Sequence, residues 1–474
     1  MAPKFGTSGL RGLVDDLTAD LVAAHVGAFL RACPSGSGVF VGRDLRASSP
    51  RIAEFVQQAA LRMGVPVVDC GAVPTPALAL ASMAAGAAAI MVTGSHIPDD
   101  RNGLKFYTPA GEITKADEGA IMAALSRASG DGPRETRAAA VTRGNPAPAY
   151  LDRYRHAFGP EALTGLRIGV WSHSAVGRDL LLALLRDLGA EVIEIDRSER
   201  FIPVDTEAVS ETMRRHLGRV AVAQGLDAIL STDGDGDRPL MTDATGQVIP
   251  GDILGQITAA MLGARVVVTP VSSNTGVEAG GGFAQVIRCR IGSPYVIAAM
   301  EDVCAGALRD KTAPARVAGY EANGGFLLGF EAQGPAGPLP ALMTRDSLLP
   351  MLAPLWLAAR GPQKGLAALV AAQPARFTAT DRLEDVPTAR SAAMVAALRG
   401  DAARRAGFLA GLGEAEAARD ETDGLRLILQ SGRIVHLRPS GNAPEMRCYA
   451  EAESPQAAFG LLEAGLSQLR ALLG

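Results

Sequence analysis

The sequence predicts an α/β protein: three similar mixed-sheet α/β domains plus a C-terminal α+β domain, set around a central cleft. Three observations carry this. The chain has 474 residues, and at roughly 100 to 200 residues per domain that length favours three or four domains. The order strand, helix, strand, helix, strand occurs three times in succession, an internal repeat of element order rather than of letters. After residue 370 the order changes to a hairpin and a helix.

In the first copy, Val39-Phe40-Val41 reads as a strand, followed by a helix from Pro50 to Met63, a strand Val65 to Val68, a helix from Pro76 to Ala84 and a strand Ala88 to Val92. The second copy runs from a strand Leu166 to Trp171 into a leucine-rich helix, then a strand Ala190 to Ile195, a helix through Arg214 and Arg215, and a strand Leu226 to Leu230. Leu181, Leu184, Leu185 and Leu188 fall on one stripe of that leucine-rich helix, and Ser174 is the expected cap of its first amides. The third copy runs Arg265 to Thr269, a Gly-rich stretch, Ala284 to Arg288, a helix Tyr295 to Met300, and Arg316 to Ala318. Short apolar strands alternating with helices build a mostly parallel sheet covered on both faces. The tail reads Leu425 to Gln430, a Ser431-Gly432 turn, Ile434 to Leu437, a Gly/Pro loop, Met446 to Ala452, and a helix from Ser454 towards Leu472. Expected domains are 1–147, 148–250, 251–370 and 371–474, with Ser126 to Ala149 as the first linker.

Composition excludes several classes. Hydrophobic residues make up 48% and charged residues 20%, a globular mixture, and the formal net charge of −4 leaves no nucleic-acid footprint. The weakly apolar run Ala77 to Val92 contains Ser82 and reads as helix, turn and buried strand, so no membrane partner is expected. Five scattered cysteines without C-x-x-C spacing suggest neither a disulfide framework nor a zinc knuckle. With neither a signal-peptide layout at the N-terminus nor an anchor after Gly474, a cytoplasmic protein is expected. Only five of the 46 basic residues are lysines, which singles out each lysine for inspection.

Functional loops of such sheets lie beyond the carboxyl ends of strands. After the third strand of the three copies stand Thr93-Gly94-Ser95-His96, Ser231 to Arg238, and Gly319 to Gly325. Three equivalent positions carry three polar clusters, which points to one loop per domain in a shared cleft. Asp233, Asp235 and Asp237, spaced by glycines, can aim three carboxylates at one hard cation, Mg²⁺ or Ca²⁺. An EF-hand is excluded, because its sixth and twelfth positions would be Arg238 and Ala244. Ser95 beside His96 is no hydrolase triad, for there is no G-x-S-x-G elbow; a serine near a divalent ion can instead carry a phosphoryl group. Glu321 and Asn323 offer the acceptor and donor pattern that vicinal sugar hydroxyls need. Arg438-Pro439-Ser440-Gly441-Asn442 forms a nest-like loop suited to phosphate, with Arg447 either adding charge or solvating the strand edge. Of the six histidines only His96 sits in a cluster.

Taken with Phe5-Gly6-Thr7-Ser8-Gly9-Leu10-Arg11-Gly12, these clusters resemble, in order along the whole chain, the α-D-phosphohexomutase family. The resemblance implies four domains around a cleft, a phosphorylated serine, Mg²⁺, and reversible movement of phosphate between O1 and O6 of a hexose. It implies Ser95 as the phosphoserine and a metal ligand, and Asp233, Asp235 and Asp237 as the other metal ligands. Arg11, His96 and Lys105 would line the reacting centre, and Arg238 would lie beside the metal loop. Glu321 and Asn323 would grip sugar hydroxyls, while Arg438, Ser440, Gly441 and Asn442 would clamp the phosphate that is not reacting. Glucose 1,6-bisphosphate or mannose 1,6-bisphosphate is the implied activator and hexose phosphates the implied partners, for a monomer or homodimer. The chain departs from the commonest family pattern at Gly94 and Ile97, at Asn323 and Gly325 where bacterial relatives often carry Ser and His, and at Asn442-Ala443. A histidine acid/base from the sugar loop is therefore absent. Phosphomannomutase with phosphoglucomutase side activity is the first reading; phosphoglucosamine mutase and a non-catalytic phosphosugar-binding protein are the alternatives.

Overall fold

The structure is a computed structural model that describes residues 3–6, 9–127, 139–309, 314–361, 364–441 and 444–473. Its architecture is α/β, and the three repeats share one strand arrangement. In the first sheet the parallel strands Val67–Ala72, Val39–Arg43 and Ala88–Val92 lie side by side, and Arg101–Thr108 continues the sheet antiparallel. In the second, Glu191–Arg197, Arg167–His173 and Ala228–Thr232 are parallel and Pro239–Met241 is antiparallel. In the third, Gln285–Cys289, Val266–Pro270 and Val317–Tyr320 are parallel and Phe326–Leu328 is antiparallel, with Leu342–Asp346 beyond it. The first sheet is extended on one side by Leu10–Leu13 and Lys4–Phe5, and on the other by Val141–Arg143.

Each polar cluster is thus the connection between a buried third strand and its antiparallel fourth. The strand Ala88–Val92 is buried along its length, as is Ala228–Thr232, which fits their continuous apolar lettering. The helix Thr75–Ala84 starts two residues after Val73, with Pro76 in its first turn, where a missing N–H costs nothing. The leucine-rich helix begins at Arg178, not Ser174. Ser174 caps no helical amide; its Oγ accepts from Ile202 N at 2.7 Å and so ties down the segment that follows the second strand. Part of the expected first linker is a strand of the first sheet, and the helix Ala147–Phe158 follows it; residues 128–138 lie outside the described ones.

The tail forms an antiparallel sheet in the order Phe377–Leu383, Met446–Ala452, Ile434–Pro439, Leu425–Leu429, Glu416–Asp420, packed against the helix Pro455–Leu473. Its apolar core is its own, built from residues such as Leu427, Leu437, Cys448 and Leu466. One larger core, by contrast, runs through all three α/β units and includes Leu78, Tyr154, Leu185, Leu254 and Leu352. Among the described residues no helix is long and apolar enough to cross a membrane.

Asp346 pins the second and third units together. Its carboxylate accepts the hydroxyls of Tyr150 and Tyr154 and also the N–H groups of Leu348 and Leu349, both at 3.1 Å. The two tyrosine rings meet edge to face at 5.5 Å, and the carboxylate is buried. Replacing Asp346 by Ala strands these buried donors, and we expect a loss of roughly 2 to 4 kcal/mol, read from the shift in urea-induced unfolding followed by circular dichroism.

Candidate active site

The serine loop is shaped by a buried arginine. Arg46 directs all five of its N–H donors inward: Nε to Asp44 at 3.2 Å, one terminal nitrogen to the carbonyls of Pro98 and Arg101 at 2.7 and 2.9 Å, the other to those of Ser95 and Ile97 at 2.9 and 2.6 Å. The ring of Phe201, from the second unit, stacks over the guanidinium at 4.0 Å. Asp44 also accepts from Thr93 Oγ1 at 2.7 Å, and that hydroxyl in turn accepts from Ser95 N at 2.7 Å. Ser95 sits at φ 55°, a left-handed conformation that a serine holds only when its surroundings impose it. Its Oγ donates to Asp233 at 2.6 Å and lies 3.3 Å from His96 Nδ1.

Asp233, Asp235 and Asp237 are all fully buried. Asp233 Oδ1 accepts from the N–H groups of Asp237 and Arg238 at 3.2 and 3.3 Å. Asp235 Oδ2 accepts from Thr75 Oγ1 at 2.6 Å and Lys105 Nζ at 2.5 Å. Asp237 Oδ2 accepts from Lys105 at 2.6 Å and pairs with Arg345 at 2.7 Å. Burial, then Asp235 and Asp237, push Asp233 well above the ordinary carboxylate range. Burial acts the same way on Asp235, but Lys105 outweighs it and holds that carboxyl below its ordinary value.

These residues fit a divalent cation. One oxygen from each aspartate lies within 4.8 Å of the others, and Asp235 Oδ1 and Asp237 Oδ1 are buried with no hydrogen-bond donor. Oxygens of this kind suit Mg²⁺, and the unrelieved repulsion at Asp233 is what a cation would remove.

Arg238 donates to His96 Nδ1 at 3.0 Å. Burial, then Arg238 and Arg11, hold the imidazole well below its ordinary pKa, so it is neutral with Nδ1 as acceptor. Arg11 stands opposite Gly103 on the neighbouring strand. Its pKa is pushed down to about 10, by burial first and by Arg238 next, with Asp235 and Asp237 acting in the other direction. Arg11, His96, Lys105 and Arg238 therefore share one electrostatic neighbourhood with Ser95 and the three aspartates.

The third loop closes through its own backbone. Glu321 N donates to Gly325 O at 3.2 Å, and Asn323 Oδ1 accepts from Gly325 N at 3.0 Å. Glu321 is buried and pairs with Arg345 at 3.1 Å. Thr206 Oγ1, from the second unit, donates to Asn323 O at 3.3 Å. One residue on is Glu207, whose carboxyl is pushed up to about 7 by desolvation among its neighbours first and by Asp205 next, with Arg238, Glu321 and Arg447 also acting on it.

In the tail, Arg438 ends the strand Ile434–Pro439 and pairs with Asp423 at 3.0 Å. Arg438 and Arg382 both stand opposite Arg447 on the adjoining strands, a row of three like charges across one face. Carboxylates offset the repulsion within the row: Arg382 pairs with Glu384 and Glu445 at 3.2 and 3.4 Å, and Arg447 with Glu445 at 3.3 Å. Ser440 is buried and its N–H donates to Glu445 O at 3.0 Å, while Gly441 has no neighbour that a Cβ would meet. Asn442 lies outside the described residues. The clamp candidates thus form a separate group on the tail, linked to the rest by the charges on Glu207 and Arg447.

Several residues of the site escaped the sequence reading: Asp44, Arg46, Thr75, Glu207 and Arg345. Arg46 had a readable signal, Gly42-Arg43-Asp44-Leu45-Arg46 at the carboxyl end of the first strand. Arg345 had none, since it lies on a strand far from any loop of the repeat.

Models of the phosphoglucomutase/phosphomannomutase family match in three parts: alpha/beta/alpha domain I at residues 2–130, alpha/beta/alpha domain II at 148–246, and the C-terminal domain at 382–466. A phosphomannomutase of Sinorhizobium fredii is 46% identical over 99% of both chains. A phosphomannomutase of Salmonella muenchen is 42% identical, covering 99% of this chain and 96% of its own. The crystal structure of a phosphoglucomutase/phosphomannomutase family protein from Burkholderia thailandensis superposes with a TM-score of 0.75 at 22% identity, covering 98% and 97% of the two chains. The chain belongs to the phosphoglucomutase/phosphomannomutase family, the α-D-phosphohexomutases. It is a phosphohexomutase, an isomerase that moves phosphate within a hexose.

Arg46→Lys keeps the charge but not the five-pronged hold on the serine loop. We expect kcat to fall about 100-fold, the cost of a misplacement near 1 Å, with the KM for hexose phosphate little changed and the circular dichroism spectrum unaltered.

Proposed function

We propose that this chain interconverts mannose 1-phosphate and mannose 6-phosphate, and more slowly the glucose pair, through a phosphoserine at Ser95 and a hexose 1,6-bisphosphate. The observation that carries the reading is Ser95 Oγ, 2.6 Å from Asp233 within a buried triad of aspartates. Two relatives that match this chain over nearly its whole length bear the name phosphomannomutase, which favours the mannose pair. Tyr320 to Gly325 lacks the Gly-Glu-Gln-Ser-Gly-His pattern of glucosamine-type enzymes.

In this proposal Asp233, Asp235, Asp237 and the Ser95 oxygen hold Mg²⁺, which when bound withdraws charge from the serine-linked phosphoryl group. Arg11 and Lys105 offset the charge on the equatorial oxygens of that group as it moves. The P–O bond to Ser95 breaks while a bond to a hexose hydroxyl oxygen forms, and the hydroxyl proton passes to a base of the cluster. Lys105, held between Asp235 and Asp237, serves as the charge-stabilising ammonium and not as that base; His96, neutral at Nδ1, accepts from Arg238 and orients the loop. The bisphosphate then turns over, and its other phosphoryl group returns to Ser95. Glu321 and Asn323 hold sugar hydroxyls in both orientations, which a grip blind to C2 permits; Arg438, Ser440, Gly441 and Asn442, with Arg447, hold the idle phosphate. Glucose 1,6-bisphosphate or mannose 1,6-bisphosphate serves as activator by rephosphorylating Ser95.

Every group of this site comes from one chain, so a monomer suffices and a homodimer needs no shared residue. Five free cysteines, four of them buried, agree with a cytoplasmic setting.

Phosphorus NMR of the protein with Mg²⁺ and catalytic glucose 1,6-bisphosphate, offered mannose 1-phosphate, glucose 1-phosphate and glucosamine 1-phosphate in turn, tests the reading. We expect 6-phosphates from the first two, mannose fastest. Ser95→Ala should abolish turnover and the phosphoserine resonance together; turnover retained in that variant would remove Ser95 from its role.

A further inference from the structure

The inference concerns Arg345 and rests on the metal and sugar roles proposed above. Arg345 is 3% exposed and lies on the strand Leu342–Asp346, beside the hairpin that carries the sugar loop. One terminal nitrogen pairs with Asp237 Oδ2 at 2.7 Å and the other with Glu321 Oε2 at 3.1 Å. Its Nε is buried without an acceptor, so the two carboxylates alone set the plane of the guanidinium. The stem fills the space above Gly325: a Cβ there would lie 2.8 Å from Arg345 Cδ and 3.0 Å from Cγ. A planar fork with fixed donor spacing transmits position between two acids in a way a point charge does not.

We propose that Arg345 is a positioning residue that couples the metal loop to the sugar loop, so that hexose-phosphate binding and cation binding strengthen each other. Without a cation, the guanidinium shares its charge between Asp237 and Glu321, and Asp237 also holds Lys105 at 2.6 Å. A cation at the free oxygen of Asp237 takes up part of that carboxylate's charge. The guanidinium then bonds more strongly to Glu321 and fixes the oxygen that meets the sugar. By linkage the effect is reciprocal: bound sugar raises metal affinity by the same factor.

The test is calorimetric titration of mannose 1-phosphate into dephosphorylated protein, which cannot turn over, with and without Mg²⁺, and of Mg²⁺ with and without the sugar phosphate. For the unaltered chain we expect each ligand to tighten the other by about 5-fold or more, the range of ordinary coupling between sites. Arg345→Lys and Arg345→Gln should bring that factor close to one. Gly325→Ala removes no charge; by displacing the stem it should also bring that factor close to one, with an unaltered circular dichroism spectrum reporting that the fold is kept. A factor unchanged in the Arg345 variants and in Gly325→Ala, or no coupling in the unaltered chain, overturns the role of Arg345. Glu321→Gln and Asp237→Asn separate this from the underlying reading. If they weaken sugar and metal respectively while coupling survives without Arg345, only the present inference fails; if neither weakens its ligand, the sugar and metal roles fail with it.

Discussion

Three buried carboxylates in the loop 233–237 set the terms for the rest of the molecule. Buried like charges repel strongly, and only opposite charge brought equally deep can hold them. The protein supplies it from different units: Lys105 from the first, Arg238 from the loop itself and Arg345 from the third. Neutral donors complete the enclosure, with Thr75 Oγ1 on Asp235 and Ser347 Oγ on the carbonyl of Gly236. The relative placement of the three units is therefore written into the charge balance of one loop. Removing the first or the third unit would leave an acid of this loop without its partner.

The repeated sheet explains how three remote segments reach one point. In each unit two crossover helices return the chain to a central position, and the next strand runs back beside the third. The turn between them emerges at the carboxyl edge, where the three turns carry Ser95, the aspartates and Glu321. A core shared by the three units holds these edges in register. The tail obeys different rules. It has a separate core and meets the third unit through polar contacts, Thr275 with Glu451 and Arg376, and Asn274 with the carbonyl of Arg376. Polar junctions between units with separate cores favour relative motion.

Much of this was legible in the sequence because local physics wrote it. Central strands such as Ala88–Val92 and Ala228–Thr232 are buried on both faces and read as mainly apolar runs, and the loops declared themselves by crowding polar residues after them. The antiparallel fourth strands were not legible. Arg101-Asn102-Gly103-Leu104-Lys105 mixes charge with glycine, and it is a strand because a partner edge awaits it, not from any preference of its own. Ser174 misled for a related reason: it has the chemistry of a helix cap, but the neighbouring segment claims its oxygen first. Asp44, Arg46 and Arg345 needed tertiary structure, since what matters about a buried arginine is which carbonyls and carboxylates surround it.

Gly325 shows how a loss in the sequence becomes an exchange in three dimensions. Where bacterial relatives often carry histidine, this chain has a residue with no side chain, which reads as a missing acid or base. In the fold that vacancy is filled: the stem of Arg345 lies where a Cβ would begin, and its guanidinium reaches the two carboxylates that border the site. The exchange changes the chemistry. A histidine can give up and recover a proton near neutral pH, whereas a guanidinium between two acids keeps its charge throughout, as the strong upward push from Asp237 and Glu321 on this buried group requires. Lys105 is likewise a fixed positive charge, in contact with two of the aspartates. The loop 321–325 is left with a fixed positive charge against Glu321 and no titrating imidazole of its own.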